Sequence, residues 1–77
     1  MNIKRVGWKY IDIYNGTMTF CMVLNVNEKK KLVTFDYCNG NIHLTCNEIS
    51  NDPGNILLVD IMIIARETVI EYIGETK

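Results

Sequence analysis

The chain has 77 residues, of which 48% are hydrophobic and 22% charged, and its formal charge is −1. That length specifies one small domain, which buries only roughly 60% of its unfolded surface, so this much apolar content implies surface closed against a partner. The near-neutral balance excludes nucleic-acid or membrane binding by bulk positive charge, and the apolar content excludes disorder.

In chain order, Met1–Gly7 carries Asn2, Lys4 and Arg5 with no apolar signal segment behind them. It reads as a frayed arm or a strand extension. The apolar stretches Trp8–Tyr14 and Thr17–Val26 flank Asn15-Gly16, and Leu32–Cys38 and Asn41–Cys46 flank Asn39-Gly40. Asn-Gly between such stretches is a strong hairpin signal, because a type I′ turn needs two residues tolerant of positive φ. The polar run Asn27–Lys31 and Pro53-Gly54 are two further turn candidates. The last apolar stretches, Ile56–Ala65 and Val69–Ile73, read as two strands with a sharp turn at Arg66–Thr68. A helix over 56–73 is the alternative, since Asp60, Glu67 and Glu71 would share one face. Nine β-branched residues among those eighteen favour strands. The expected fold class is therefore all-β, five or six short antiparallel strands in a barrel or sandwich. The longest apolar run, Ile56–Ala65, is broken by Asp60 and falls well short of the ~20 residues of a membrane helix. The chain reads as soluble and intracellular, cytoplasmic or nuclear, with no membrane partner.

Candidate chemistry is sparse. A zinc site would collect Cys21, Cys38, Cys46 and His43, but in an extended segment His43 and Cys46 point to opposite faces. The cysteines are odd in number and lack C-x-x-C spacing, so they read as small buried hydrophobes, with no disulfide framework and no metal. His43 falls across from Asp36 if Asn39-Gly40 is a two-residue turn, yet no serine or cysteine is placed to use that pair. Asp12, Asp36, Asp60, Glu67 and Glu71 are dispersed, and no glycine-rich phosphate loop occurs. These residues predict no enzyme and no cofactor. Lys29-Lys30-Lys31, as a hairpin tip, reads as a solvated turn or as a phosphate contact.

The stretch Ile11-Asp12-Ile13-Tyr14-Asn15-Gly16, then Thr17–Phe20, Cys21, Val23 to Asn27 and Lys31–Phe35, resembles the first motif of the Sm and Sm-like (LSm) family. Gly16, Cys21, Asn27 and Lys31 stand, without a gap, where that motif has glycine, glycine, aspartate and asparagine. The stretch Ile63 to Ile73, with Arg66-Glu67 in place of Arg-Gly, resembles the second motif. The resemblance covers residues 9 to 73 and implies a single Sm-like domain over 1–77, a strongly bent five-stranded antiparallel barrel. An SH3- or OB-type small barrel is the competing fold. It also implies an inward-facing core that includes Ile11, Ile13, Val23, Leu32 and Ile70.

The resemblance further implies pairing with other Sm-like chains, homo- or hetero-oligomeric, through the last two strands. The implied interface is Ile56, Leu57, Leu58, Val59, Ile61, Val69, Ile70, Tyr72 and Ile73. With the base-contact asparagine replaced by Lys31 and the glycine by Glu67, it points to a non-catalytic scaffold subunit of an RNA-processing assembly. The Gemin-type subunits of the SMN complex, which assembles spliceosomal ribonucleoproteins, are the implied model for that role. On that scaffold reading free RNA binds weakly; an RNA-binding LSm ring lined by Lys29, Lys30, Lys31 and Arg66 is the alternative. A small viral or bacterial inhibitor protein is a remoter one.

Overall fold

The structure, a computed structural model, describes residues 3–47 and 56–75; the Pro53-Gly54 turn candidate lies outside them. Four strands, β1 (Ile3–Tyr14), β2 (Thr17–Val26), β3 (Lys29–Cys38) and β4 (Asn41–Asn47), precede one helix, α1 (Ile56–Glu75). The strands form an antiparallel meander in the order β1-β2-β3-β4. All three hairpins turn on two residues of positive φ: Asn15-Gly16, Asn27-Glu28 and Asn39-Gly40. Two are the expected Asn-Gly turns. The third uses Glu28 at φ 71°, where glycine would be unstrained, and it starts β3 at Lys29. The N-terminal residues from Ile3 extend β1, and bulges at Val6 and Ile11 kink it twice.

Two expectations are corrected here. The segment read as two strands around Arg66–Thr68 is one continuous helix of 20 residues. The five-stranded barrel does not close: the described strands make an open sheet with β1 and β4 as its edges. The mostly β, antiparallel reading stands for residues 3–47. Neither end of α1 has a charge that offsets the helix dipole, and its β-branched residues are poor helix formers. Packing, rather than propensity, holds it helical.

That packing follows a regular spacing. Ile61, Ala65 and Thr68 are fully buried, Val69 nearly so, and Tyr72 is half-buried against the core. Steps of four, three and four from 61 to 72 make one helical stripe. The sheet answers with Phe20, Met22, Leu24 and Val26 from β2 and Val33 and Phe35 from β3, all buried. Every second residue of β2 points to this side, and Val33 and Phe35 lie beside Met22 and Phe20 in the ladder. Phe20 stacks on Phe35 at 5.2 Å, and Tyr10 stacks on Tyr72 at 4.6 Å.

None of the expected core residues lies in the core. Ile11, Ile13, Leu32 and Ile70 are exposed, and Val23 sits half-buried on the sheet face away from α1. Ile11 is the extra residue of a β1 bulge. Ile13 lies on the helix-facing side but at the far end of the first hairpin, beyond the covered core. A strand has a period of two, so choosing Val23 and Leu32 as inward selects the opposite face. The β2 sequence did carry the right signal. Met18, Phe20, Met22, Leu24 and Val26 form an unbroken apolar set, whereas Thr17, Thr19 and Asn25 interrupt the alternate one.

Candidate functional site

A second stripe runs along α1 on the side away from the sheet: Val59, Ile63, Arg66 and Ile70, again at steps of four, three and four. It is offset by two residues from the buried stripe, about 200° around the helix, so the two lie on opposing sides. Val59, Ile63 and Ile70 are 63%, 51% and 64% exposed. With Met62 and Glu67 they line a shallow, mostly apolar groove. Neither Arg66 nor Glu67 has an ion-pair partner among the described residues.

The buried side of α1 is fastened at one polar point. The Thr68 hydroxyl donates to the Ile64 carbonyl at 2.8 Å and accepts from Arg5 Nη1 at 2.7 Å, with Met22 Sδ 3.4 Å away. The Arg5 guanidinium also donates to the Glu71 carboxylate and lies 6.0 Å from the Trp8 ring centroid. The hydrogen bond from Arg5 is the main cause holding the Glu71 carboxyl below the usual glutamate range; partial desolvation opposes it. Desolvation, then the neighbouring Tyr72 and Asp12, raise the Tyr10 hydroxyl above its ordinary value.

The sequence-derived interface residues divide between the two sides of the helix. Val59 and Ile70 belong to the outward stripe, and Leu58 and Ile73 are exposed. Ile61 and Val69 are buried against the sheet, and Tyr72 packs between Trp8, Tyr10 and Phe20. Ile56 and Leu57 open the helix backbone; their side chains lie outside the described residues. As none of these residues is in a strand, the expected pairing through two C-terminal strand edges is replaced by a helix surface. Ile63 and Met62, absent from the sequence-derived set, complete that surface. A helical count of 59, 63, 66 and 70 would have found Ile63.

The lysines do not converge on one point. Lys29 lies across from Val26 and Lys31 from Leu24, on the helix-facing side, while Lys30 lies across from Asn25 on the other. Arg66 belongs to the α1 groove. On the open face Lys4, Asn25 and Lys30 make one cross-strand row, and the Asn25 Oδ1 is buried without a hydrogen-bond partner among the described residues. The aromatic rings Trp8, Tyr10, Phe20, Phe35 and Tyr72 all join the core cluster beneath α1.

His43 does stand across from Asp36. The Thr19 hydroxyl donates to the Asp36 Oδ1 at 2.8 Å, and Asp12 follows in the same cross-strand row. A β4 bulge at Thr45 sets Cys46 across from Thr34, on the same face as His43, which corrects the expected opposition of the two. Even so, no group of three metal-ligating side chains forms among the described residues. Cys21 and Cys46 are two strands apart, about 10 Å, too far for a disulfide. No helix among the described residues is long and apolar enough to cross a membrane. No family model, curated protein or solved structure matches the chain.

Proposed function

We propose that the chain is a non-catalytic interaction subunit that binds a partner protein through the outward stripe of α1. The observation that carries this reading is that both sides of the helix are apolar. A helix hydrophobic all round belongs in an interior, and among the described residues only one side has one. Clustered exposed apolar residues flanked by single charges are the composition of a protein interface.

A place in a ribonucleoprotein assembly rests on the first Sm motif, whose residues lie on β1, β2 and β3. The second motif loses its support with the helix over 56–75. An RNA-binding role is weakened by the division of Lys29, Lys30 and Lys31 between two faces. It is weakened too because every Phe, Trp and Tyr ring but the exposed Tyr14 is turned into the core, whereas single-stranded RNA readers stack bases on several exposed rings.

The test is site-specific photo-crosslinking in the native cell, with the probe placed at Val59 and, as a control, at Lys4 on the open sheet face. Protein adducts, of this chain or another, are expected at Val59 and not at Lys4. Absence of any protein adduct at Val59 sinks the interaction reading.

A further inference from the structure

Resting on the interaction reading, we infer that the partner on the outward stripe of α1 is a second copy of this chain, with the two helices side by side and parallel about a two-fold axis.

The stripe is self-complementary in shape and charge. Val59, Ile63 and Ile70 run along its centre, and Arg66 and Glu67 stand at one level on opposite flanks, about 100° apart. A two-fold axis along the helices preserves the height of each residue and exchanges the flanks. Arg66 of each copy then meets Glu67 of the other, giving two symmetric ion pairs around an apolar seam. An antiparallel two-fold keeps each flank on its own side, so like charges share a flank and the pairs are lost.

The spacing agrees. Positions 59, 63, 66 and 70 alternate steps of four and three, the 3.5-residue repeat of a coiled-coil seam. Isoleucine at 63 and 70 occupies the positions where β-branched side chains favour parallel two-stranded pairing. Arg66, at an alternate seam position, shares its layer with Arg66 of the other copy and packs next to the partner's Glu67, so this polar layer sets the register at a cost in stability.

Charge also selects a second copy over a lipid surface. Asp60 and Glu67 border the stripe against Arg66 alone, Glu71 being paired with Arg5, whereas interfacial helices carry basic residues beside the apolar side. The helix is about 30 Å long and one helix diameter wide, so each copy covers on the order of 400 Å². That is about 800 Å² in total, below the ~1,200 Å² of stable specific interfaces, so weak, reversible self-association in the high-micromolar range is expected.

Sedimentation velocity from 1 to 500 µM tests this on the full chain. The wild type is expected to move from monomer to dimer. Arg66→Glu and Glu67→Arg are each expected to weaken the dimer at least tenfold, and an equimolar mixture of the two variants to restore it. Ile63→Ser should weaken it similarly with an unchanged circular dichroism spectrum; Val59→Ser serves the same purpose if Ile63→Ser unfolds.

A chain that stays monomeric at 500 µM overturns the inference, as does a dimer indifferent to these changes or a mixture that fails to reassociate. Monomers that float with neutral phosphatidylcholine vesicles would assign the stripe to lipid instead. A monomer whose Val59 probe still captures a different protein would overturn the second copy but leave the interaction reading standing.

Discussion

The two stripes of α1 share one spacing and meet opposite surroundings. Ile61, Ala65, Thr68 and Tyr72 face the sheet, while Val59, Ile63, Arg66 and Ile70 face outward. The inner stripe is chosen for fit: Ala65 has no bulk to hold the helix off the strands, and Thr68 satisfies its hydroxyl by back-bonding to Ile64 while receiving Arg5. The outer stripe is bulkier and pairs no polar group within the described chain. Burial, then, does not follow hydrophobicity here. It follows which side the sheet can reach.

The largest contrast should come from truncating the same residue type on each stripe. Ile61→Ala opens a cavity in a sealed core and should cost ~2–5 kcal/mol. Ile63→Ala should change the unfolding free energy of the monomer by no more than ~0.5 kcal/mol. Urea midpoints measured below the dimerisation range compare them; equal losses would erase the distinction between the stripes.

A smaller effect is expected at the polar fastening. Thr68→Val keeps the shape but removes the acceptor for Arg5 Nη1 and should cost ~1–2 kcal/mol. Arg5→Met in the same background should then add less than it does alone, because the two changes share one interaction. A double-mutant cycle by chemical denaturation reads this coupling, and strict additivity would refute it.

The smallest effect is a pH dependence. Glu71 is held below its ordinary value in the folded state, so its contribution to stability is present above the unfolded glutamate pKa. It fades as the pH falls through the lower folded value. The thermal midpoint of Glu71→Gln should therefore lie below that of the wild type at neutral pH, with the gap closing toward pH 3. A gap that widens on acidification would contradict the Arg5–Glu71 contact.

Much of the sheet could be read directly from residue types. Asn15-Gly16 and Asn39-Gly40 announced two hairpins, β2 was delimited as Thr17–Val26, and the His43–Asp36 pairing followed from the turn length. These are local consequences, since a two-residue turn sets the register of both strands that leave it. The remaining features depend on contacts between segments distant along the chain. The facing of β2 and the state of residues 56–75 depend on each other, because the apolar row from Met18 to Val26 is buried only if something covers it.

Residue types alone specify a meander of short strands, its two Asn-Gly turns and the register of the β3–β4 hairpin. The turn at Asn27-Glu28 and the start of β3 at Lys29 emerge only in the fold. The helix over residues 56–75, and the side of the sheet it covers, come from packing between distant segments. Nine β-branched residues oppose a helix by tenths of a kcal/mol each. Burying Ile61, Ala65, Val69 and Tyr72 against Met22, Phe20 and Val33 outweighs that sum, because each sealed aliphatic side chain contributes on the order of 1.5–3 kcal/mol. The balance exists only when segments some forty residues apart in the chain are brought together, so no reading of either segment alone contains it.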